Sequence, residues 1–133
     1  MKRKDLIEEE IDRFLAIAKK KKAKAVILFG SRAKGEYTEE SDCDICLIAD
    51  DLPYDLFRRR YLAPSGFRFL SVFGFHPQEF LDMLEDANLF ILDILEEGIT
   101  LYDNGFLREA QIRGKEVIEK HHLRKEEKGW SWD

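Results

Sequence analysis

The stretch Ala25-Val26-Ile27-Leu28-Phe29-Gly30-Ser31 and, after ten further residues, Asp42-Cys43-Asp44-Ile45-Cys46-Leu47-Ile48-Ala49 decides how the chain is read. Residues 25–29 form an apolar run cut off by a glycine, the pattern of a short buried strand. Residues 42–49 read as a second strand whose first half is polar on one side. The segment between them is rich in turn formers, with Gly30, Ser31, Gly35, Thr38 and Ser41. A strand that ends in Gly-Ser and bends at once presents backbone N–H groups at its tip. Gly30 has no Cβ to hold an anion off the backbone. Ser31 adds a hydroxyl donor, and Arg32 and Lys34 bring positive charge suited to phosphate. Side chains alternate along a strand, so Asp42 and Asp44 leave one face with Cα atoms roughly 6.6 Å apart. Two such carboxylates can converge on Mg²⁺, a cation that favours carboxylates together with phosphate oxygens and water. An anion cradle beside a carboxylate pair is equipment for in-line displacement at the phosphorus of a nucleoside triphosphate. Gly-Ser alone says little, and Asp-x-Asp alone usually marks a polar loop. Their placement at the ends of neighbouring strands makes the combination informative.

Outward from this segment, residues 3–20 follow helical spacing, with Ile7, Ile11, Phe14, Leu15 and Ala18 on one face. Asp5 and Glu8 to Glu10 lie early in it and Lys19 to Lys22 late, as the helix dipole favours. Pro53 opens a segment with helical potential through Arg60, which Pro64-Ser65-Gly66 would end. Residues 67–75 are a Phe-rich third strand, stopped by His76-Pro77. Residues 78–97 are helical with a break near Asn88, and Gly98 is the C-terminal stop. Ile99 to Tyr102 form a fourth strand and residues 106–120 a last helix. The tail carries Trp130 and Trp132 and is either loose or docked by its indoles. Helices and strands interleave, which predicts an α+β chain folded as one layered domain over 1–133 with a small sheet.

The composition sets bounds. The chain has 133 residues, 44% of them hydrophobic, with ten Phe, four Tyr and two Trp, which excludes a disordered polymer. No apolar run reaches the roughly 18–20 residues a membrane span needs. Met1-Lys2-Arg3-Lys4 is followed by acidic, amphipathic sequence rather than a secretory signal. Two cysteines make no disulfide framework and suit a reducing cytoplasm. The net charge of −5 argues against a broad nucleic-acid surface.

The blocks Leu28-Phe29-Gly30-Ser31-Arg32-Ala33-Lys34-Gly35-Glu36 and Glu40-Ser41-Asp42-Cys43-Asp44-Ile45-Cys46-Leu47-Ile48 resemble the signature of the polymerase β-type nucleotidyltransferase superfamily. The similarity is greatest to its minimal nucleotidyltransferases. His76-Pro77-Gln78-Glu79-Phe80 and Glu96-Glu97-Gly98-Ile99-Thr100-Leu101-Tyr102 resemble later landmarks, so the likeness spans about residues 10–103, leaving 104–133 as a C-terminal helix and tail. The resemblance implies a mixed sheet flanked by helices. It implies transfer of a nucleoside monophosphate, AMP first among them, from an NTP such as ATP to a hydroxyl. It implies Mg²⁺ at Asp42 and Asp44 and triphosphate contacts from Gly30 and Ser31, with Arg32 or Lys34 screening phosphate charge. It also implies a biological setting, as the antitoxin of a HEPN-domain toxin that receives AMP, for some relatives on a tyrosine.

The chain departs from that pattern once. The family supplies a third carboxylate from the strand before the His-Pro turn, and counting back from the turn puts Ser71 there. No Asp or Glu lies between residues 56 and 78. Asp50 lies too far along its own strand to substitute, and Asp55 could do so only if its loop folded back. The alternative reading is therefore a nucleotide-binding or antitoxin module without catalysis. Other features carry weaker expectations. Cys43 and Cys46 are three apart on a strand and so face opposite ways, against a redox or metal pair. His76 belongs to a turn. Of Arg58, Arg59 and Arg60, one could reach the triphosphate or an acidic partner, or all could be solvated. Trp130 and Trp132 could anchor a second copy of the chain, a partner, or simply the tail.

Overall fold

The computed structural model describes residues 2–36, 38, 42–56, 58–63 and 66–132. Its elements are α1 (Arg3–Lys20), β1 (Ala23–Phe29), a one-turn α2 (Ser31–Lys34), β2 (Cys43–Ala49), a 3₁₀ turn (Arg58–Tyr61), β3 (Leu70–Phe75), α3 (Pro77–Glu85), α4 (Leu89–Glu97), β4 (Ile99–Asp103), α5 (Phe106–Lys120), and a hairpin of β5 (Leu123–Glu126) with β6 (Gly129–Trp132). Four strands form one sheet in the order β3-β2-β1-β4. β1 is antiparallel to β2 and β4, and β2 is parallel to β3. The sheet is mixed and flanked by helices, as the resemblance implies.

Strand alternation sorts the core into two halves. Cys43, Ile45, Leu47 and Ala49 face α1, where they meet Ile7, Phe14 and Ala18. Cys46 and Ile48 face the other way, onto Phe80, Leu84, Ile91 and Ile94. With apolar partners on both faces, β2 reads as a near-continuous hydrophobic run. The two cysteines are free and buried on opposite faces. Burial pushes the Cys43 thiol up to about 11 and raises that of Cys46 as well, so neither is a ready nucleophile.

Several expectations shift by a few residues, each for a physical reason. The helix of residues 78–97 is two helices: Ala87 has a positive φ of 57° and the Asn88 side chain caps α4 by accepting from the Ile91 amide at 3.1 Å. Gly98 ends α4 in an extended conformation (φ −70°, ψ 151°), not a left-handed one. A Cβ there would collide with the Ile94 carbonyl and the Ile27 side chain, so close packing demands the glycine. The third strand begins at Leu70 rather than 67, because the amides of Arg68 and Phe69 donate to the Glu10 carboxylate at 3.0 Å. Glu10, placed with the early acids that suit the helix dipole, is buried. The tail is ordered into the β5–β6 hairpin. Trp130 docks it by donating to Asp93 at 2.7 Å, while Trp132 is exposed.

Among the described residues, the segment after Pro53 forms only the 3₁₀ turn, and the expected stop at Pro64-Ser65 lies outside them. Arg59 sits in that turn, buried, which corrects the reading of the arginine cluster as solvated or phosphate-seeking. Its guanidinium donates to the carbonyls of Pro53 (2.7 Å) and Gly74 (3.1 Å), to the Glu79 carboxylate and to His76 Nδ1 (2.9 Å). The His76 ring in turn donates from Nε2 to the Leu52 carbonyl at 2.9 Å. Arg58 is exposed beside Asp55, and the Arg60 side chain is not among those described. Arg59 thus ties the loop to the ends of β3 and α3. Arg59→Ala strands two carbonyls and a carboxylate, and is expected to cost about 2–3 kcal/mol, checked as a lower denaturation midpoint in urea.

Candidate active site

The sequence-predicted residues gather at one end of the sheet. β1 delivers Phe29 opposite Asp44 of β2, and the chain then bends at Gly30 into α2. Gly30 has φ 76° and ψ −156°, a region that side chains other than glycine's hydrogen scarcely enter. A Cβ built on it would lie 2.5 Å from Asp44 Oδ2. The carboxylate therefore rests directly against the backbone of the Gly-Ser bend. Ser31 opens α2, and a helix's first turn leaves N–H groups without intrahelical acceptors.

Asp42 precedes β2 by one residue and is exposed, whereas Asp44 is half-buried. The Asp44 carboxyl is held above the ordinary carboxylate range, first by its burial and then by the negative charge of Asp42. An acid raised in this way, set against a glycine backbone, is a place where a divalent cation would supply compensating positive charge. Carboxylate oxygens are the donor type that Mg²⁺ prefers, so the residues present fit such an ion. Among the described residues no third His, Cys, Asp or Glu joins them in a cluster.

The register explains why. β2 and β3 run parallel with Asp44 beside Ser71, Cys46 beside Phe73 and Ile48 beside Phe75. Ser71 thus stands next to Asp44 on the same face, at the position from which a third carboxylate would reach the pair. Asp50 lies at the far end of β2, paired with Lys24 at 3.5 Å. Asp55 lies near Arg58, in the loop whose Tyr54 stacks on His76 beyond the opposite end of β3. Neither replaces the missing acid. His76 itself serves the turn into α3, remote from Asp44.

Arg32 and Lys34 diverge. Arg32 lines a cavity of about 200 Å³ with Lys4, Glu8 and Cys43, on the α1 side of the sheet, the face opposite to that of Asp44. Lys34 forms an ion pair with Glu97 at the end of α4, 2.8 Å apart. Glu97 was legible only as part of a family landmark, and its partner Lys125, which also holds Asp93, not at all, since residues so far apart in sequence announce no contact. Phe29 packs edge-to-face on both Phe73 and Phe90, which tilt against each other around the same end, and Phe73 and Phe90 are exposed. The Phe-rich strand is therefore not wholly core.

Residues 9–107 match the family model for the polymerase β nucleotidyltransferase domain. The chain belongs to that family. A relative from Methanocaldococcus jannaschii, named "Putative protein adenylyltransferase MJ0604", is 36% identical over 103 residues, covering 71% of this chain and 97% of its own length. A second from the same organism, named "Putative protein adenylyltransferase MJ0141", is 40% identical over 47 residues, 35% of this chain and 48% of the relative. Among solved structures, a nucleotidyltransferase-type protein of Sulfolobus solfataricus superposes with a TM-score of 0.50 at 20% identity, over 75% of this chain and 79% of that one. A toxin–antitoxin complex with AMP-PNP gives 0.52 at 18% identity over 85% of each chain. At such identities these neighbours share the fold. The nucleotidyltransferase reading of the sequence holds, and the C-terminal portion of α5 and the β5–β6 hairpin lie beyond the family match. No helix among the described residues is long and apolar enough to cross a membrane.

Proposed function

We propose that this nucleotidyltransferase domain moves AMP from ATP to a hydroxyl of a partner protein, as the antitoxin of a HEPN-domain toxin. The observation that carries the proposal is the contact geometry of Asp44 and Gly30, which sets one acid of the pair against the Gly-Ser bend. A relative named for protein adenylylation and a toxin–antitoxin neighbour holding AMP-PNP support the choice of nucleotide and setting. Asp42 and Asp44 would hold a divalent cation, which when bound neutralises phosphate charge. The bend at Gly30 and Ser31 receives the β- and γ-phosphates. In-line displacement then requires the acceptor oxygen on the side away from the bend, across β2 toward β3. That side carries Ser71, with exposed Phe73 and Phe90 beside it. The acceptor oxygen bonds to the α-phosphorus, the bond to the β-phosphate oxygen breaks, and pyrophosphate leaves. Label transferred from α-labelled ATP to the partner, and lost in Asp44→Asn, tests this reading; a partner that stays unlabelled under every metal and nucleotide tried overturns it.

The position of Ser71 favours a second reading, binding without rapid transfer. A serine hydroxyl is no base, so the acceptor proton has no carboxylate waiting on β3. Ser71→Asp restores an acid beside Asp44. Transfer is expected to rise by about 10²-fold or more, the usual worth of a positioned base. The like charge also makes the metal-free variant less stable. An unchanged single-turnover rate would show that the carboxylate is dispensable in this chain.

A further inference from the structure

Lys34 lies three residues after Ser31, so the two share a face of α2. Its ammonium is nevertheless engaged by Glu97 Oε2 at 2.8 Å. The other oxygen of Glu97 is 3.2 Å from Lys125 Nζ, on the C-terminal hairpin. Lys125 also donates to Asp93, which receives the Trp130 indole N–H at 2.7 Å. Two ammoniums and two carboxylates thus balance, in a chain running from the Gly-Ser bend to a hairpin that the family match does not include. The charges behave as one unit. Lys34 first, and Lys125 after it, hold Glu97 below the ordinary carboxylate range against its desolvation. Burial works against the charge on Lys125, but Asp93 and Glu97 outweigh it.

We propose that Lys34 exchanges Glu97 for the phosphates of the incoming nucleotide, and that Lys125 keeps Glu97 neutralised when it does so. Glu97 and Lys125 are then positioning residues, and the hairpin tunes nucleotide affinity from outside the family domain. The proposal rests on the nucleotide-binding reading of the Gly-Ser bend. Its logic is electrostatic: a triphosphate competes with Glu97 for one ammonium, and the cost of Lys34 leaving depends on what remains beside Glu97. With Lys125 present, Glu97 keeps a cation. Without it, Glu97 holds Lys34 more tightly.

Two substitutions are therefore expected to act in opposite directions. Lys125→Gln weakens MgATP binding and Glu97→Gln strengthens it, each by about 3- to 5-fold, the range of partly exposed ion pairs. In Glu97→Gln/Lys125→Gln the first substitution has removed the competitor, so affinity follows Glu97→Gln alone. The measurement is equilibrium binding of MgATP to the full chain, with the thermal midpoint recorded alongside. Lys125 and Glu97 acting only as structural ties would lower the midpoint in both variants and leave affinity unchanged or reduced in both, which overturns the exchange. A wild-type chain that binds no MgATP would instead overturn the nucleotide reading itself.

Discussion

Asp44→Asn is expected to abolish AMP transfer, by about 10³-fold or more, while making the metal-free protein more stable. On the proposed reading the loss follows from removing one of two charges that would hold the cation, whose electrostatic help at phosphorus is worth several kcal/mol. The gain follows from linkage. Burial and Asp42 raise the Asp44 carboxyl in the folded state above its unfolded value. The native protein therefore binds that proton more tightly than the unfolded chain. Stability falls as pH rises through the window between the two values and stays lower at neutrality. An amide has no charge to desolvate, so the thermal midpoint at pH 7 should rise by about 1–3 °C. Near pH 3, where the acid is also neutral, the difference should vanish. Added MgATP should reverse the ranking, because only the wild type gains from binding. For the same reason, cation affinity in the wild type should decline with acid at a higher pH than for an ordinary carboxylate pair. Thermal scans at two pH values with and without MgATP check both signs. Transfer at the wild-type rate in Asp44→Asn would remove the site from consideration.

Gly30→Ala should be nearly as damaging to function by a steric route. The new methyl group lies 2.5 Å from Asp44 Oδ2, so the carboxylate must move. The backbone at φ 76°, ψ −156° adds strain of about 1–3 kcal/mol. MgATP affinity is expected to drop about 10-fold and transfer about 10²-fold, since a displacement of about 1 Å at such a centre commonly costs that much. Gly35→Ala supplies the control. Gly35 also has positive φ, 75°, but a Cβ there meets nothing within 4 Å. It should lose stability yet keep nucleotide affinity. Equal loss of affinity in both variants would mean that backbone strain, not contact with Asp44, sets the geometry.

What was legible in the sequence and what was not divides along contact range. The Gly-Ser bend, Asp42 and Asp44 declare themselves because a glycine after an apolar run and alternation along a strand are local signals. Ser71 could be placed by counting from the His-Pro turn, since a parallel register carries that count directly to Asp44. Helices α1 and α5 show through their apolar periodicity. The burial of Glu10 and Arg59 does not show in the sequence, because partners of theirs lie 58 and 20 residues away, respectively, and composition gives no sign of them. The ion pair of Lys34 with Glu97 is of the same kind: a lysine beside a phosphate motif looks available until the end of another helix is folded onto it.

β2 has consequences for how the centre moves. It is hydrogen-bonded along both edges, by β1 and β3, and Ile45, Cys46, Leu47 and Ile48 are fully shielded from water. Splaying Asp44 away from the bend would mean breaking strand ladders on two sides at once, an event close in free energy to opening the whole domain. Asp44 thus stands on a strand held from both sides, whereas α2 is a single turn at the end of β1. On the proposed reading, adjustment during turnover would fall to the turn at Gly30 and Ser31, with the acid held still while its surroundings rearrange.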